Sequence, residues 1–387
     1  MSAPPVRRPP PGPTADTSPT ADHSPGADNR ASVATAAAEP TGPPGPGPDH
    51  TGRPGAVLAV RLAATGVLAV LLAVAVTVSL AVGDRPIDPG VLVDALTDPI
   101  DGNVDHLVVW ASRIPRTVGG LVVGAGMAVA GALIQAATRN PLADPGILGV
   151  NAGAAFCVAA TVAVLGVTSL HLQLWAALVG ALAATVIVLA IGAAGRAGTD
   201  PVRLTLAGVA FAAVMAGLTT ALTLLNAHAF DAMRSWGAGS LSVRGLQGTL
   251  QCTPLIIAGI IAAAVAARSL NAVALGDDLA RGLGVRIART RVIAVIGVTL
   301  ACGTATAIAG PIGFVGLMVP HVVRWFIGPN QGWIIGLSLL AGPVLMLTAD
   351  VLARVVTPGG MPVGVVTAFL GAPVLIAMAR SKAVSTL

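Results

Sequence analysis

The feature that most constrains this chain is a succession of apolar runs, most of them close to the roughly 20 residues that carry a helix across a bilayer. Stretches such as residues 57–82 and 256–267 are apolar on every face, whereas a transmembrane barrel needs strands of alternating polarity. The fold class is therefore all-α, a polytopic membrane protein. Composition excludes the soluble alternative. Only 10% of residues are charged, against about a quarter in a soluble domain, and 55% are hydrophobic, giving a mean hydropathy of +0.84 over 387 residues.

Apolar runs and their breakers place about ten spans, at residues 57–82, 115–137, 146–166, 173–194, 203–226, 251–268, 291–309, 313–327, 333–353 and 362–379. The eighth is short for a crossing and is counted on the parity of the loops that follow. With a cytoplasmic N-terminus, thirteen cations fall inside: Arg53, Arg61, Arg139, Arg196, Arg203, Arg268, Arg281, Arg286, Arg289, Arg291, Arg324, Arg380 and Lys382. Six fall outside: Arg85, Arg113, Arg116, Arg234, Arg244 and Arg354. Positive charge marks the cytoplasmic side, so both termini are expected there. Residues 83–112, with Asp84, Asp88, Asp94, Asp98, Asp101 and Asp105, then form the largest extracytoplasmic segment.

Residues 1–52 differ from the rest. They are rich in Pro, Ala, Gly, Asp and Thr and offer too little apolar surface to offset the entropy of ordering, so a disordered cytoplasmic tail is expected before a permease domain at 53–387. No apolar run follows Arg7-Arg8, which argues against a signal peptide.

The pI near 10.3 does not imply nucleic-acid binding, because the arginines sit in short loops between spans without interleaved aromatics. Cys157, Cys252 and Cys302 stand singly in apolar surroundings, so neither a metal site nor any other cofactor is expected. A nucleotide-driven pump needs a P-loop lysine, and the single lysine, Lys382, is followed by Ala383 rather than by the required Ser or Thr. An ion-coupled carrier places ionisable groups at mid-membrane. Only Asp350 is a candidate, and Arg354 lies one helical turn away, where it can pair with it. Energy must therefore enter through a partner, with secondary transport as the alternative of another class.

The longest polar cytoplasmic stretch, residues 268–291, contains Leu275-Gly276-Asp277-Asp278-Leu279-Ala280-Arg281-Gly282-Leu283-Gly284. It reads as two short helices broken at Gly282 and Gly284, with acids near a helix start and Arg281 beyond them. A plain connector does not need leucines at 275, 279 and 283, a four-residue spacing that makes one apolar stripe. A docking knob fits the pattern; an interfacial helix lying on lipid is the alternative.

Residues 276–284 resemble, in outline Gly-x-x-x-Ala-x-x-x-Gly, the coupling-helix motif of the permease subunits of type II ABC importers. Four further blocks resemble, in order, the iron-siderophore and vitamin B12 permease family. They are Arg113-Ile114-Pro115-Arg116; Asn140-Pro141-Leu142-Ala143-Asp144-Pro145-Gly146; Gly310-Pro311-Ile312-Gly313-Phe314 with Pro320-His321; and Pro362-Val363-Gly364 with Gly371-Ala372-Pro373. The similarity covers about residues 57–380. Asn151 departs from it, standing where a small Ser is more usual.

The resemblance implies a ten-helix fold like that of the vitamin B12 permease, with coupling helices at 269–290 and an inverted internal repeat. An echo in the sequence agrees: the same spacing of 179 residues separates Gly131 from Gly310 and Pro141 from Pro320. It implies a permease of a bacterial plasma membrane that pairs with a second permease, two cytoplasmic ATP-binding subunits and an extracytoplasmic substrate-binding protein. Ferric siderophore is the implied cargo, with cobalamin and haem as alternatives. In the resembling family, arginines at the positions of Arg113, Arg116 and Arg354 receive a carboxylate of the binding protein, a role that suits the bidentate guanidinium. Interfacial snorkelling would explain any one of them. By the same analogy residues 206–225, with Thr219, Thr220 and Thr223, line the pathway.

Overall fold

In the computed structural model, the residues described are 54–83, 85–167, 169–193, 201–242, 245–357 and 360–380. The chain divides into residues 1–51 and 52–387, and everything that follows concerns the second unit. The expected tail at 1–52 lies outside the described residues, as do Arg53, Asp84, Arg196, Arg244 and Lys382.

Fifteen α-helices are described: α1 Pro54–Ala81, α2 Pro89–Thr97, α3 Val104–Val108, α4 Ile114–Thr138, α5 Val150–Leu165, α6 Leu170–Ala193, α7 Pro201–Leu225, α8 Ala227–Trp236, α9 Gly245–Ala274, α10 Asp277–Gly282, α11 Ile287–Val298, α12 Thr304–Ala309, α13 Val315–Ile327, α14 Gln331–Val355 and α15 Val363–Arg380. No strand occurs among the described residues. Seven helical runs are long and apolar enough to cross a membrane, and α5, α13 and α15 are shorter apolar helices. Each of the ten expected spans is covered by one of these. Helix α13 has 13 residues, or about 20 Å at 1.5 Å per residue, less than the hydrocarbon thickness of about 30 Å.

Helix α4 is the axis of the fold. It packs against α14, α9, α13 and α11, and 78% of its most apolar stretch is buried, against 0% for α1 and 6% for α7. Its small residues make that possible. A Cβ on Gly131 would stand 1.7 Å from the Gly316 carbonyl oxygen, and one on Gly124 would stand 2.7 Å from that of Gly342. Backbones therefore meet directly where α4 crosses α13 and α14, the packing expected where lipid supplies no hydrophobic drive.

The run through α4 starts earlier than the span at 115–137. Helix α3 continues through a π-turn, Val109–Arg113, into α4, so the helix reads from Val104 to Thr138. Pro115 lacks an N–H and cannot complete an ordinary α-turn; the wider π-turn before it lets the helix run on. A second π-turn, Thr299–Gly303, joins α11 to α12. The segment at 83–112 is correspondingly helical, with Asp88 capping α2 and Asn103 capping α3.

The ten apolar helices fall into two sets of five, starting at α1 and at α9, each with a short third member, α5 or α13. The residue echo does not survive. Gly131 lies inside α4 whereas Gly310 sits past the end of α12 at φ 77°, and Pro141 lies in a turn whereas Pro320 is inside α13.

Candidate functional site

The two ends of α4 carry the charged side chains singled out in the sequence. At its N-terminal end Arg113 and Arg354 converge on the C-terminal end of α1, and Arg116 joins them through Asp350. A Cβ on Gly83 would lie 3.4 Å from both the Arg113 and the Arg354 guanidinium. Arg116 donates to Asp350 at 2.7 Å, and Arg354, one turn along α14, pairs with the other Asp350 oxygen at 3.1 Å. Arg354 also donates to the carbonyls of Ser79 and Val82 and to the Ser79 hydroxyl, which in turn bonds Thr117 at 2.8 Å. Arg113 donates to the carbonyls of Leu80 and Arg85.

These bonds give the cluster a clear physical role. The last turn of α1 leaves carbonyls without helical partners, and two guanidiniums from α4 and α14 satisfy them. Asp350 is fully buried and is balanced by two cations, so the pairing with Arg354 is present and Arg116 joins it. The three arginines expected to receive a carboxylate of a binding protein are brought together here. Arg113 and Arg354 are only 2% and 6% exposed, because their donors are committed to α1 and Asp350. Arg116 alone keeps a partly accessible side chain.

At the other end of α4, about 37 Å along the axis for 25 residues, the expected pair of short helices is one. Residues 269–274 belong to α9, and α10 is a single six-residue helix. Gly276 at φ 107° and Gly284 at φ 79° bracket it, both in backbone that side-chain-bearing residues avoid. Asp277 and Asp278 occupy the first turn and Arg281 the last, in the sense the helix dipole favours. Asp277 is shared by Arg291 of α11 at 3.1 Å and Arg139 at the end of α4 at 3.3 Å, while Asp278 and Arg281 pair with each other in solvent.

This arrangement divides the ten residues by role. Ala280 is fully buried against Val273 and Ile287, where it seats α10. Leu275, Leu279 and Leu283 are 63%, 53% and 61% exposed. Leu279 stands on α10, with Leu275 just before Gly276 and Leu283 just past the helix end; the three exposed leucines around a helix clamped by ion pairs form an apolar knob of the kind that marks an interaction site. A Cβ on Gly282 would meet nothing within 4 Å, so nothing inside the chain requires glycine there.

The turn after α4 is built by its own side chains. Arg139 adopts φ 51°, Asn140 accepts from the Leu142 N–H at 2.9 Å, and Asp144 accepts from the Gly146 N–H, capping the 3-10 turn Pro145–Leu148. Pro145 folds back beside Met127: a Cβ on Gly316 would lie 3.0 Å from both. Met127 is about 17 Å before the end of α4, so residues 140–149 re-enter the bundle and α5 is short as a result. Asn151 accepts a hydrogen bond from Thr306 at 2.8 Å, which gives the departure from Ser a structural purpose. Gly310-Pro311 packs on the end of α8, where a Cβ on Gly310 would lie 2.1 Å from the Trp236 carbonyl. His321 stands edge-on to Trp325, and no group of three or more potential metal ligands occurs among the described residues.

Residues 71–381 match the model of the FecCD transport family. The chain belongs to this family. It is 46% identical over 330 residues to the ferric enterobactin transport system permease protein FepD of Escherichia coli, spanning 85% of this chain and 98% of FepD. The Fe(3+)-citrate import system permease protein YfmD of Bacillus subtilis is 40% identical, covering 72% of this chain and 83% of its own. The hemin transport system permease protein HmuU of Yersinia pestis is 36% identical over 68% and 81%. A solved structure described as an inward-facing metal-chelate type ABC transporter shares the fold, with a TM-score of 0.71 at 24% identity over 84% of this chain and 99% of that one.

Sequence reasoning found both charged clusters of this FecCD protein but missed who holds them. Ser79, Leu80 and Val82 act through backbone or a hydroxyl and carry no pattern. Asp350 was the signal available, since a lone acid between apolar residues requires a cation.

Proposed function

We propose that the chain is the membrane-spanning subunit of a binding-protein-dependent importer for ferric siderophores, embedded in the bacterial inner membrane with both termini cytoplasmic. The knob of Leu275, Leu279 and Leu283 carries this reading. It is apolar, exposed and rigidly held at one end of the helix that forms the core. An ATP-binding subunit with a matching groove would bury the three leucines, and two such subunits serve a pair of permeases. Movement of α10 then passes through Asp277 to Arg139 and so to α4.

The substrate-binding protein docks at the arginine end. Arg116, on α4, is the guanidinium of the three that reaches the surface, while Arg113 and Arg354 hold the end of α1. The pathway runs beside α7, whose Thr219 and Thr223 hydroxyls bond their own helix. The resulting wall is weakly polar and suits a bulky chelate better than a bare ion. Ion-coupled transport finds less support, since Asp350 is engaged by two arginines.

The test is uptake of radiolabelled iron into proteoliposomes holding this chain, its ATPase and its binding protein. ATP inside should drive uptake of a ferric siderophore, and a proton gradient alone should not. Uptake driven by the gradient without ATP would sink the reading. Parallel arms with ferric citrate, haem and cobalamin identify the cargo, and preference for haem or cobalamin would replace siderophore.

A further inference from the structure

A groove between α9 and α14 belongs to neither end of α4. It consists of two adjoining cavities of about 480 and 370 Å³ that share Ala267, Arg268, Gly332 and Gly336. One part is polar, with Arg268, Asn271, Asn330 and the Trp333 ring; the other is apolar, with Ile260, Ala264, Ile335 and Leu339. It exists because Gly332 and Gly336, one turn apart on the exposed side of α14, have no side chains to fill it. A Cβ on Gly336 would meet nothing within 4 Å.

The polarity of the groove changes along α9. Its polar end lies beside the last turns of α9, which lead directly into α10, and the Asn271 side chain accepts from the Gln331 N–H, tying α9 to the start of α14. Its apolar end reaches Ile260, eight residues or about 12 Å deeper. Ile257, Ile261 and Val265 are exposed along the same stretch of α9, as expected of a surface facing acyl chains. Arg268 is exposed on the rim with no partner among the described residues, and no acidic side chain lines either cavity. Arg61 of α1 adds a second cation, its guanidinium 5.5 Å above the Trp333 ring.

We infer that this groove holds one anionic phospholipid from the leaflet on the coupling-helix side, its phosphate at Arg268 and an acyl chain along Gly332, Gly336 and Leu339. Charge complementarity selects the anionic headgroup, and the depth of the groove selects a lipid over a free anion. A basic pocket between spans at this height is where such lipids are held.

The full chain, reconstituted in vesicles of phosphatidylglycerol and phosphatidylethanolamine and released into mild detergent, tests the inference by native mass spectrometry. The parent should retain one phosphatidylglycerol in preference to phosphatidylethanolamine. Arg268→Gln should lower that retention about five-fold, the worth of one surface cation against an anionic lipid, whereas Arg268→Lys should keep it. Gly336→Phe should displace lipid of either headgroup by filling the channel. Equal phosphatidylglycerol retention in parent, Arg268→Gln and Gly336→Phe would overturn the inference. So would a Gly336→Phe variant that weakens self-association while its lipid is unchanged, since a second copy of the chain would then be the occupant.

Discussion

The two ends of α4 use charge in opposite ways. At the arginine end Arg113 and Arg354 turn inward and hold the end of α1, and Asp350 pairs Arg354 with the partly accessible Arg116. At the coupling end the ion pairs of Asp277 lie beneath α10 and push leucines outward. The first cluster hides its charge to fasten helices; the second uses charge as a clamp so that an apolar surface can be shown. Arginines at a membrane face can thus serve first to fasten helices, whereas exposed leucines around a braced helix serve no packing within the chain.

Breaking the knob should have the largest effect on transport. Leu279→Asp places a carboxylate in the surface an ATPase would bury, and ATP-driven uptake should fall at least about ten-fold, the effect of roughly 1.4 kcal/mol, with the thermal midpoint of the isolated permease unchanged. Normal uptake would remove α10 from the account. The largest effect on stability belongs to Asp350→Ala, which leaves the buried Arg354 and the partly accessible Arg116 unbalanced and should cost about 3–5 kcal/mol. It is measured as a lowered thermal midpoint in detergent; parental stability would mean the arginine end is not a fastening. Gly284→Ala should cost about 1–2 kcal/mol for forcing a side chain into left-handed backbone. Its loss of ATPase retention should be partial and smaller than that of Leu279→Asp, and the reverse order would place the knob's rigidity above its apolar surface. The smallest effect belongs to Asp278→Ala, which removes a solvent-exposed ion pair and should alter neither uptake nor stability measurably.

The helical membrane fold was legible because apolar length is a strong signal, and every expected span is occupied by a helix. The second span at 115–137 matches α4, but nothing in the sequence shows the π-turn at Val109–Arg113 that joins it to α3 before Pro115. Gly131 and Gly310 share neighbours in sequence but not backbone conformation, so the residue echo misled although the order of helices repeats. Of the coupling motif, Leu275, Leu279 and Leu283 are exposed as the stripe suggested. Ala280 is buried, because in a six-residue helix the side opposite the stripe has to face the protein. The arginine cluster was legible as a meeting of residues and not as a direction of side chains. That direction depends on the free carbonyls of α1, which no residue type announces.

The most direct measurement is the amount of ATPase that co-purifies with this chain when Leu275, Leu279 and Leu283 are each changed to Asp, set beside Arg113→Gln as a variant of the opposite end. The account predicts that each leucine variant loses the ATPase while Arg113→Gln keeps it and shows a lowered thermal midpoint. Full retention of the ATPase by all three leucine variants would contradict it.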